Sequence, residues 1–349
     1  MKKPPELSDL EYCLYLMSED DPVLFEYFLS YYLQKFTLMN LVYPQIASEL
    51  KGYNDHGYKH VKNIINLQEK ILISNVPFLE EMIYGEGDDI QEDSAFNFYE
   101  LYLLLSATLW HDVGNIVERF HHNEHIPRIE AKIQHYFVNT EIKDYVLHIA
   151  KAHTGSDGVR AQINLPVSGY CNEQIFCQFI GALLRFTDEL DEGQNRLNLG
   201  FYERFGDSIE EHQKIFWEVC NCIKRILPEP RESQIIIDVN IKKEDIFKDY
   251  LKILNKGKSE ETKIRVCLID ELIFRINKIN QERIYYMEFV KKFLDFKEIK
   301  LNVNILDGGD TQSMTFSFND QFGYDQFWET VDQLNPEILL PGYILQLRR

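Results

Sequence analysis

Residues Leu101 to Asn115, LYLLLSATLWHDVGN, are the most informative segment of the sequence. Its first ten residues are apolar nearly all round, which is typical of a helix buried on every side. The helix is expected to end at the adjacent pair His111-Asp112. An imidazole nitrogen beside a carboxylate oxygen can ligate a divalent metal ion if other segments supply further ligands. The stretch therefore predicts a central helix that carries part of a metal site.

The composition is that of a globular protein with a sizeable core. The chain has 349 residues, of which 45% are hydrophobic and 27% charged, enough for one large domain or two ordinary ones. No apolar stretch approaches the ~20 residues of a membrane span, and the N-terminus lacks the apolar region of a signal peptide. We therefore expect a cytoplasmic protein with no membrane partner.

The net charge limits which molecules the protein can bind. A net charge of −19 makes duplex nucleic acid an unlikely ligand, because such binding needs a basic surface. A small anionic substrate is compatible, provided that metal ions and a local basic cluster overcome the field. The six cysteines are scattered, which favours free buried thiols over a disulfide framework.

Apolar spacing divides the chain into a helical part and a smaller mixed part. Residues 1–229 read as helices, and within them 7–50 predict two helices packed on the main core. Pro228 and Pro230 mark a boundary. Residues 230–349 form the second part, a C-terminal extension.

The C-terminal extension combines strand and helix patterns. The segments near 233–241 and 298–305 alternate or carry β-branched runs, as strands do. Between them, 243–256 and 261–279 show helical spacing. We therefore predict a mainly α protein whose smaller C-terminal domain is α+β, with a small sheet covered on one face.

Further candidate ligands lie on or beside predicted helices. His56 and His60 are four residues apart and share one helix face. His153 ends another predicted helix, and Asp188 lies within LLRFTDELD. A cluster of three histidines, His121, His122 and His125, lies between Asp112 and His153. Because this set lacks thiolates, it suits a catalytic site with open positions better than a structural zinc site.

The order H…HD…H…H…D resembles the HD superfamily of metal-dependent phosphohydrolases. The resemblance rests on His60 in HVKNI, His111-Asp112 in LWHDVGN and Asp188 in LLRFTDELDEGQNR. The DHGxxH segment that ends at His60 and the DELD segment that begins at Asp188 are similar to those of bacterial HD proteins with a C-terminal extension. The resemblance covers roughly residues 40–200 and implies an HD-type helical bundle.

The resemblance implies two divalent metal ions, drawn from Mn, Fe, Co, Mg and Zn. The ligands of the first would be His60, His111, Asp112 and Asp188. The ligands of the second would be His122, His153 and the bridging Asp112. His121 or His125 can replace His122. His56 is the least certain of the set, since it can bind a third ion, orient His60 or cap its helix.

The candidate catalytic residues are Asp112, His122, Lys151 and Arg196. Arg196 is the preferred phosphate-binding cation because arginine grips a phosphate bidentately. An ion pair with Asp188, Asp191 or Glu192 is an equal alternative for it. Glu189 and Asp191 are expected to point away from the face of Asp188, either supporting the ligands or lying at the surface.

The implied reaction is hydrolysis of a phosphoester in a nucleotide or a related small molecule by a water activated between two metals. Neither a phosphate-binding glycine loop nor a nucleophile elbow competes with it in the sequence. Two other functions stay open: a di-iron oxygenase, and a non-catalytic module that senses a nucleotide. The substrate, the metal and the oligomeric state are also open, as is a homo-oligomer or partner contact through the N-terminal helices or the C-terminal domain.

Overall fold

A computed structural model shows a mainly helical fold with a smaller α+β C-terminal part, which confirms the predicted fold class. The structure describes residues 3–49, 57–85, 96–116, 136–153, 167–170, 173–197, 206–254, 262–290 and 295–319, together with 200, 202 and 204. In these residues the α-helices are α1 (Asp9–Leu16), α2 (Pro22–Thr37), α3 (Tyr43–Glu49), α4 (Tyr58–Ile73), α5 (Pro77–Tyr84), α6 (Phe98–Trp110), α7 (Thr140–Lys151), α8 (Cys177–Leu190), α9 (Glu211–Cys222) and α10 (Leu268–Val290).

Helix α6 lies at the centre of the helical part. Asn97 caps it: the Asn97 side chain accepts from the Glu100 N–H, and the Glu100 carboxylate accepts from the Asn97 N–H. This reciprocal arrangement satisfies two backbone donors at the helix start. Every residue from Phe98 to Trp110 is buried, and α2, α4, α7 and α8 all contact the helix. The pair His111-Asp112, which follows α6, therefore lies in the interior.

The N-terminal helices α1 and α2 contact α6 of this core. The pattern of residues 7–50 predicts two helices, and the described part of that range has three, α1, α2 and α3. Glu11 of α1 and Lys35 of α2 are both buried and form an ion pair at 2.7 Å, so each compensates the burial cost of the other's charge. Helix α2 continues through a π-helical turn, Leu38–Val42, into α3. The outer side of α2 remains apolar and exposed, notably at Phe36.

The strands of the described residues are β1 (Val167–Tyr170), β2 (Glu173–Phe176), β3 (Ile223–Glu229), β4 (Gln234–Lys242), β5 (Asp249–Leu254), β6 (Thr262–Cys267), β7 (Glu298–Asp307) and β8 (Asp310–Phe318). They form two hairpins, β1-β2 and β5-β6, and one four-stranded sheet in the order β3-β4-β7-β8. The predicted strands 233–241 and 298–305 are its two central strands.

The central pair β4 and β7 is parallel, and both outer strands are antiparallel to their neighbours. Parallel neighbours need a crossover connection, which here contains the β5-β6 hairpin and α10. Ile237 and Leu301 lie on the buried face of the sheet. On the other face Asn302 donates to Asp238, and Asn304 to Asn240. One face is therefore core and the other is a hydrogen-bonded polar surface.

The helical interpretation of residues 243–256 is wrong, and that of 261–279 is wrong in its first part. Asp249–Leu254 and Thr262–Cys267 are strands that pair antiparallel. A short apolar run fits both a helical and an alternating spacing, so pairing with a neighbouring strand decides the outcome. From Leu268 onward the predicted helix is correct, since α10 begins there.

Helix α10 packs along α8, the helix that carries Asp188. The buried rings of Phe186 and Tyr286 stack between the two helices with their centroids 4.6 Å apart. The C-terminal part of the chain therefore touches a helix of the predicted metal site directly. A domain division between residues 229 and 230 stays a prediction.

Two other sequence expectations concern the chain as a whole. In the described part, no helix is both long enough and apolar enough to cross a bilayer. Five cysteines lie in the same part, all of them buried and none in a disulfide.

Candidate metal centre

Three helix ends carry the predicted ligands of the first metal. His60 lies in the first turn of α4, His111 is the C-cap of α6, and Asp188 lies in the last turn of α8. Helices α4, α6 and α8 contact one another, so these ends meet. His60, His111 and Asp112 are buried, and Asp188 is partly exposed. Asp188 thus lies at the solvent side of an otherwise enclosed group.

The ligand atoms of this group converge on one point. Each of His60, His111 and Asp188 offers one ligand atom, and these atoms lie within 4.8 Å of one another. The Nε2 atom of His60 is 3.1 Å from Oδ1 of Asp188 and 3.3 Å from Nε2 of His111. Oδ2 of Asp112 lies 3.6 Å from Nε2 of His60 and 3.5 Å from that of His111. Two imidazoles and two carboxylates are therefore gathered as a nitrogen and oxygen donor set.

The hydrogen bonds of the imidazoles show that this donor set fits a cation. The Nδ1 atom of His111 is 2.8 Å from the carbonyl oxygen of Thr108. Because a carbonyl only accepts, Nδ1 carries the proton and Nε2 presents a lone pair. Nδ1 of His60 likewise faces a carboxylate oxygen of Asp191, 2.7 Å away. With both rings neutral, two Nε2 lone pairs lie 3.3 Å apart beside two carboxylates. They repel one another unless a positive charge, either a proton or a metal ion, lies between them.

The pKa shifts of the clustered side chains also indicate a site for positive charge. Burial and the nearby Arg196 lower the pKa of His60, but hydrogen bonds with Asp188 and Asp191 outweigh them and raise it to about 9. Burial lowers the pKa of His111 despite the neighbouring carboxylates. Burial would raise the pKa of Asp188, but its hydrogen bond with His60 keeps that pKa below the usual range. The carboxylate of Asp188 thus stays ionised and draws positive charge into the cluster.

Asp191 is more closely tied to the site than the sequence indicated. Its two carboxylate oxygens accept from Nδ1 of His60 at 2.7 Å and from Nδ2 of Asn63 at 3.0 Å. Its side chain does not point away from the face of Asp188, because residues three apart lie on the same side of a helix and α8 ends at Leu190. Of the two expected roles, support of a ligand is the one that the bond to His60 agrees with. Asn63 was missed, although its spacing of three from His60 placed it on the ligand face.

His153 lies beside the cluster. It is buried, and its ring meets that of His111 edge to face with the centroids 5.0 Å apart. Its Nδ1 atom hydrogen-bonds the carbonyl oxygen of Ala150, three residues earlier, which repeats the arrangement of His111 with Thr108. Nε2 is thereby left as its basic nitrogen. The described residues thus contain one of the two histidines expected at the second metal.

The other predicted histidines are not among the described residues. His56 precedes α4, and the cluster of His121, His122 and His125 follows α6. The composition of a second metal site therefore stays a prediction, as does the assignment of every ligand to a particular ion.

The two candidate phosphate-binding cations differ in their surroundings. Arg196 is 7% exposed, and its Nη1 atom lies 3.9 Å from Oε1 of Glu192, which corresponds to the ion-pair alternative. Burial lowers the pKa of Arg196, but Glu192 with Asp191 and Asp188 outweighs it and holds the pKa above its usual value. Lys151 is the last residue of α7 and is half-buried, two positions before His153. Arg196 lies close enough to the cluster for its charge, together with burial, to oppose the rise in the pKa of His60.

Comparison with known proteins agrees with this geometry. The chain carries an HD-type domain: the HD-CE family model matches residues 50–256, a range that contains His60, His111, Asp112 and Asp188. Since the match covers more than half of the 349 residues, the protein belongs to the HD-CE family. No curated protein and no solved structure matched the chain.

Proposed function

We propose that this protein is a metal-dependent phosphohydrolase that acts on a nucleotide or a related small phosphoester. The observation that carries the proposal is the convergence of the Nε2 atoms of His60 and His111 with carboxylate oxygens of Asp112 and Asp188. Membership of an HD family supports it, since HD domains bind divalent metals and are generally found in hydrolases.

The residues of the cluster would hold and orient the reacting groups. Divalent ions at such a site lower the pKa of a water molecule and offset the charge that develops on the phosphoryl oxygens. His60 and His111 keep their Nε2 lone pairs aimed at the centre, because their Nδ1 protons are bound elsewhere. We assign Asp112 the bridging position and His153, with His122, the second metal. Manganese is the metal we would test first among Mn, Fe, Co, Mg and Zn.

The substrate would enter from the side of Asp188, which is the partly exposed ligand. Lys151 and Arg196 are proposed to bind its phosphate, because a chain with a net charge of −19 needs local cations to retain an anion. We propose a cytoplasmic location, where the five buried cysteines of the described residues would stay reduced.

The test is a panel of nucleotides and phosphodiesters, assayed for phosphate or nucleoside release with Mn²⁺, Mg²⁺, Co²⁺ and Fe²⁺ in parallel. His111→Ala and Asp112→Ala are expected to lose turnover and bound metal while keeping the helical circular dichroism of the unchanged protein. His148→Ala is the matched control, because His148 is an exposed residue of α7. It should keep both metal and activity.

The outcomes separate the three functions. Full activity of the metal-free double variant His111→Ala/Asp112→Ala contradicts the proposal. Oxygen consumption by the iron-loaded protein, without hydrolysis, indicates an oxygenase. Tight nucleotide binding without turnover under any of the four metals indicates a sensor.

A further inference from the structure

A row of three ion pairs joins α8 to α10. The pairs are Arg185–Glu282 at 2.6 Å, Glu189–Lys278 at 2.5 Å and Glu192–Arg275 at 3.0 Å. The residue numbers rise along one helix as they fall along the other, so the segments run antiparallel. On α10 the spacing of three and four residues places all three partners on one helix face. On the other side, Arg185 and Glu189 are four residues apart on α8, and Glu192 follows directly after that helix and its C-cap. We call this row the α8–α10 ladder.

The third ion pair of the α8–α10 ladder involves Glu192, the residue next to Asp191. Glu192 is enclosed: one carboxylate oxygen accepts from Nη1 of Arg275 at 3.0 Å, and the other accepts from the Cys220 thiol at 3.3 Å. Arg196 approaches the same carboxylate at 3.9 Å. Because a buried charge is costly unless it is paired, Glu192 is confined to this position. Holding this side chain also restricts the backbone of Glu192 and therefore the turn at Asp191.

Arg275 is itself fixed from the C-terminal side. Its Nε atom donates to Glu271, one turn earlier on α10, at 3.3 Å. Glu271 is buried and also binds Nζ of Lys252 on β5 at 2.5 Å. The guanidinium is therefore held between Glu271 and Glu192, and the β5-β6 hairpin supports it.

We propose that Arg275 is a positioning residue of the metal centre. Through Glu192 it fixes the turn that presents Asp191, and Asp191 orients the His60 ring by the hydrogen bond to Nδ1. The path runs from α10, which lies beyond the range matched by the family model, to a metal ligand through two hydrogen bonds and the peptide bond between Asp191 and Glu192. The inference rests on the proposed metal site and adds that the C-terminal part of the chain tunes it.

The test compares metal binding by Arg275→Gln and Arg275→Lys with that of the unchanged protein. Co²⁺ is titrated, and both the dissociation constant and the visible absorption spectrum are recorded. Losing a residue that orients a metal-ligating histidine typically weakens metal binding 10–100-fold. Since Arg275 acts on Asp191 only through Glu192, we expect a loss of about tenfold for Arg275→Gln, at the lower end of that range, with an altered spectrum. Arg275→Lys, which keeps the charge, should recover part of both.

Arg185→Gln is the matched control. It removes an ion pair with two hydrogen bonds from the same interface, but its partner Glu282 lies seven residues, about two turns, further along α10 than Arg275. It should lower the melting temperature without changing the Co²⁺ spectrum. If Arg275→Gln does not fold, Glu192→Gln replaces it, because glutamine keeps the shape of the side chain. The same loss of Co²⁺ affinity and the same change of spectrum are then expected.

Three results would overturn the proposal. The first is unchanged Co²⁺ affinity and spectrum in a folded Arg275→Gln. The second is an equal loss in Arg185→Gln, which would assign the effect to helix packing in general. The third is the lack of Co²⁺ binding by the unchanged protein, which would refute the proposed function together with this inference. The first two leave the proposed function intact.

Discussion

Replacing Asp191 by asparagine tests how the metal centre orients its first histidine. The carboxylate of Asp191 accepts two hydrogen bonds, from Nδ1 of His60 at 2.7 Å and from Nδ2 of Asn63 at 3.0 Å. An asparagine of the same shape offers one oxygen and one amide nitrogen. If the oxygen keeps the bond to His60, the new amide faces the amide of Asn63, and two donors oppose each other.

The size of the effect follows from these contacts. Asp191→Asn removes one of the two hydrogen bonds and replaces a charged acceptor by a neutral one, which makes Nε2 of His60 a weaker ligand. Losses of this kind weaken metal binding about 10–100-fold, which corresponds to roughly 1.4–2.8 kcal/mol of binding free energy. The other ligand contacts, of His111, Asp112 and Asp188, remain, so binding should be weakened and not abolished.

The assay is a chelator competition that gives the dissociation constants of Mn²⁺ and Co²⁺, together with thermal unfolding in the absence of metal. Asp144→Asn is the matched control, because Asp144 is an exposed residue of α7 and the substitution is chemically the same. An affinity within twofold of the unchanged protein, or a loss equal to that of Asp144→Asn, would refute the assigned role of Asp191.

Two further predictions concern stability. Gly193 has φ +136°, and a Cβ there would lie 2.9 Å from the carbonyl oxygen of Ile223, so Gly193→Ala should cost about 2–3 kcal/mol in urea unfolding. Gly308→Ala, at φ +63° with open space around it, should cost only about 1 kcal/mol, and equal losses would contradict this reasoning. Burial raises the pKa of Asp270 from 3.8 to about 6. Between pH 3.8 and about 6 the folded state therefore holds a proton that the unfolded state has released. As a result, the free energy of unfolding falls as the pH rises through this range. Asp270→Asn should therefore raise the free energy of unfolding by up to about 3 kcal/mol at pH 7.5 and leave it unchanged at pH 3. If the variant's stability varies with pH as that of the unchanged protein does, Asp270 does not have a raised pKa.

The central helix and the order of the ligands could be predicted because both depend on local sequence. The run before His111 has no polar face, so the helix had to be buried, and its end had to lie inside the protein. His60 and Asp188 were found by their place in an ordered series, and the fold brings both within reach of His111.

The supporting contacts could not be predicted because they depend on distant segments. Arg275 and Glu192 are each ordinary charged residues at helical spacing, and only the register of α10 on α8 pairs them across 83 positions. The strand β5 likewise exists because β6 lies beside it. The role of Asp191 depends on where α8 ends, and helix ends are the least predictable feature of a sequence.

The backbones of three helices favour a cation at the metal centre, independently of the ligand side chains. Helices α6, α7 and α8 all end at the cluster, at His111, close to His153 and close to Asp188. The C-terminal end of a helix carries a partial negative charge and carbonyl groups without a partner in the helix. His111 and His153 each bind such a carbonyl through Nδ1, which satisfies the helix end and at the same time turns Nε2 away from it. The same hydrogen bond therefore completes the helix and orients the ligand, so substitutions that extend either helix past its histidine should disturb metal binding even when every ligand is kept.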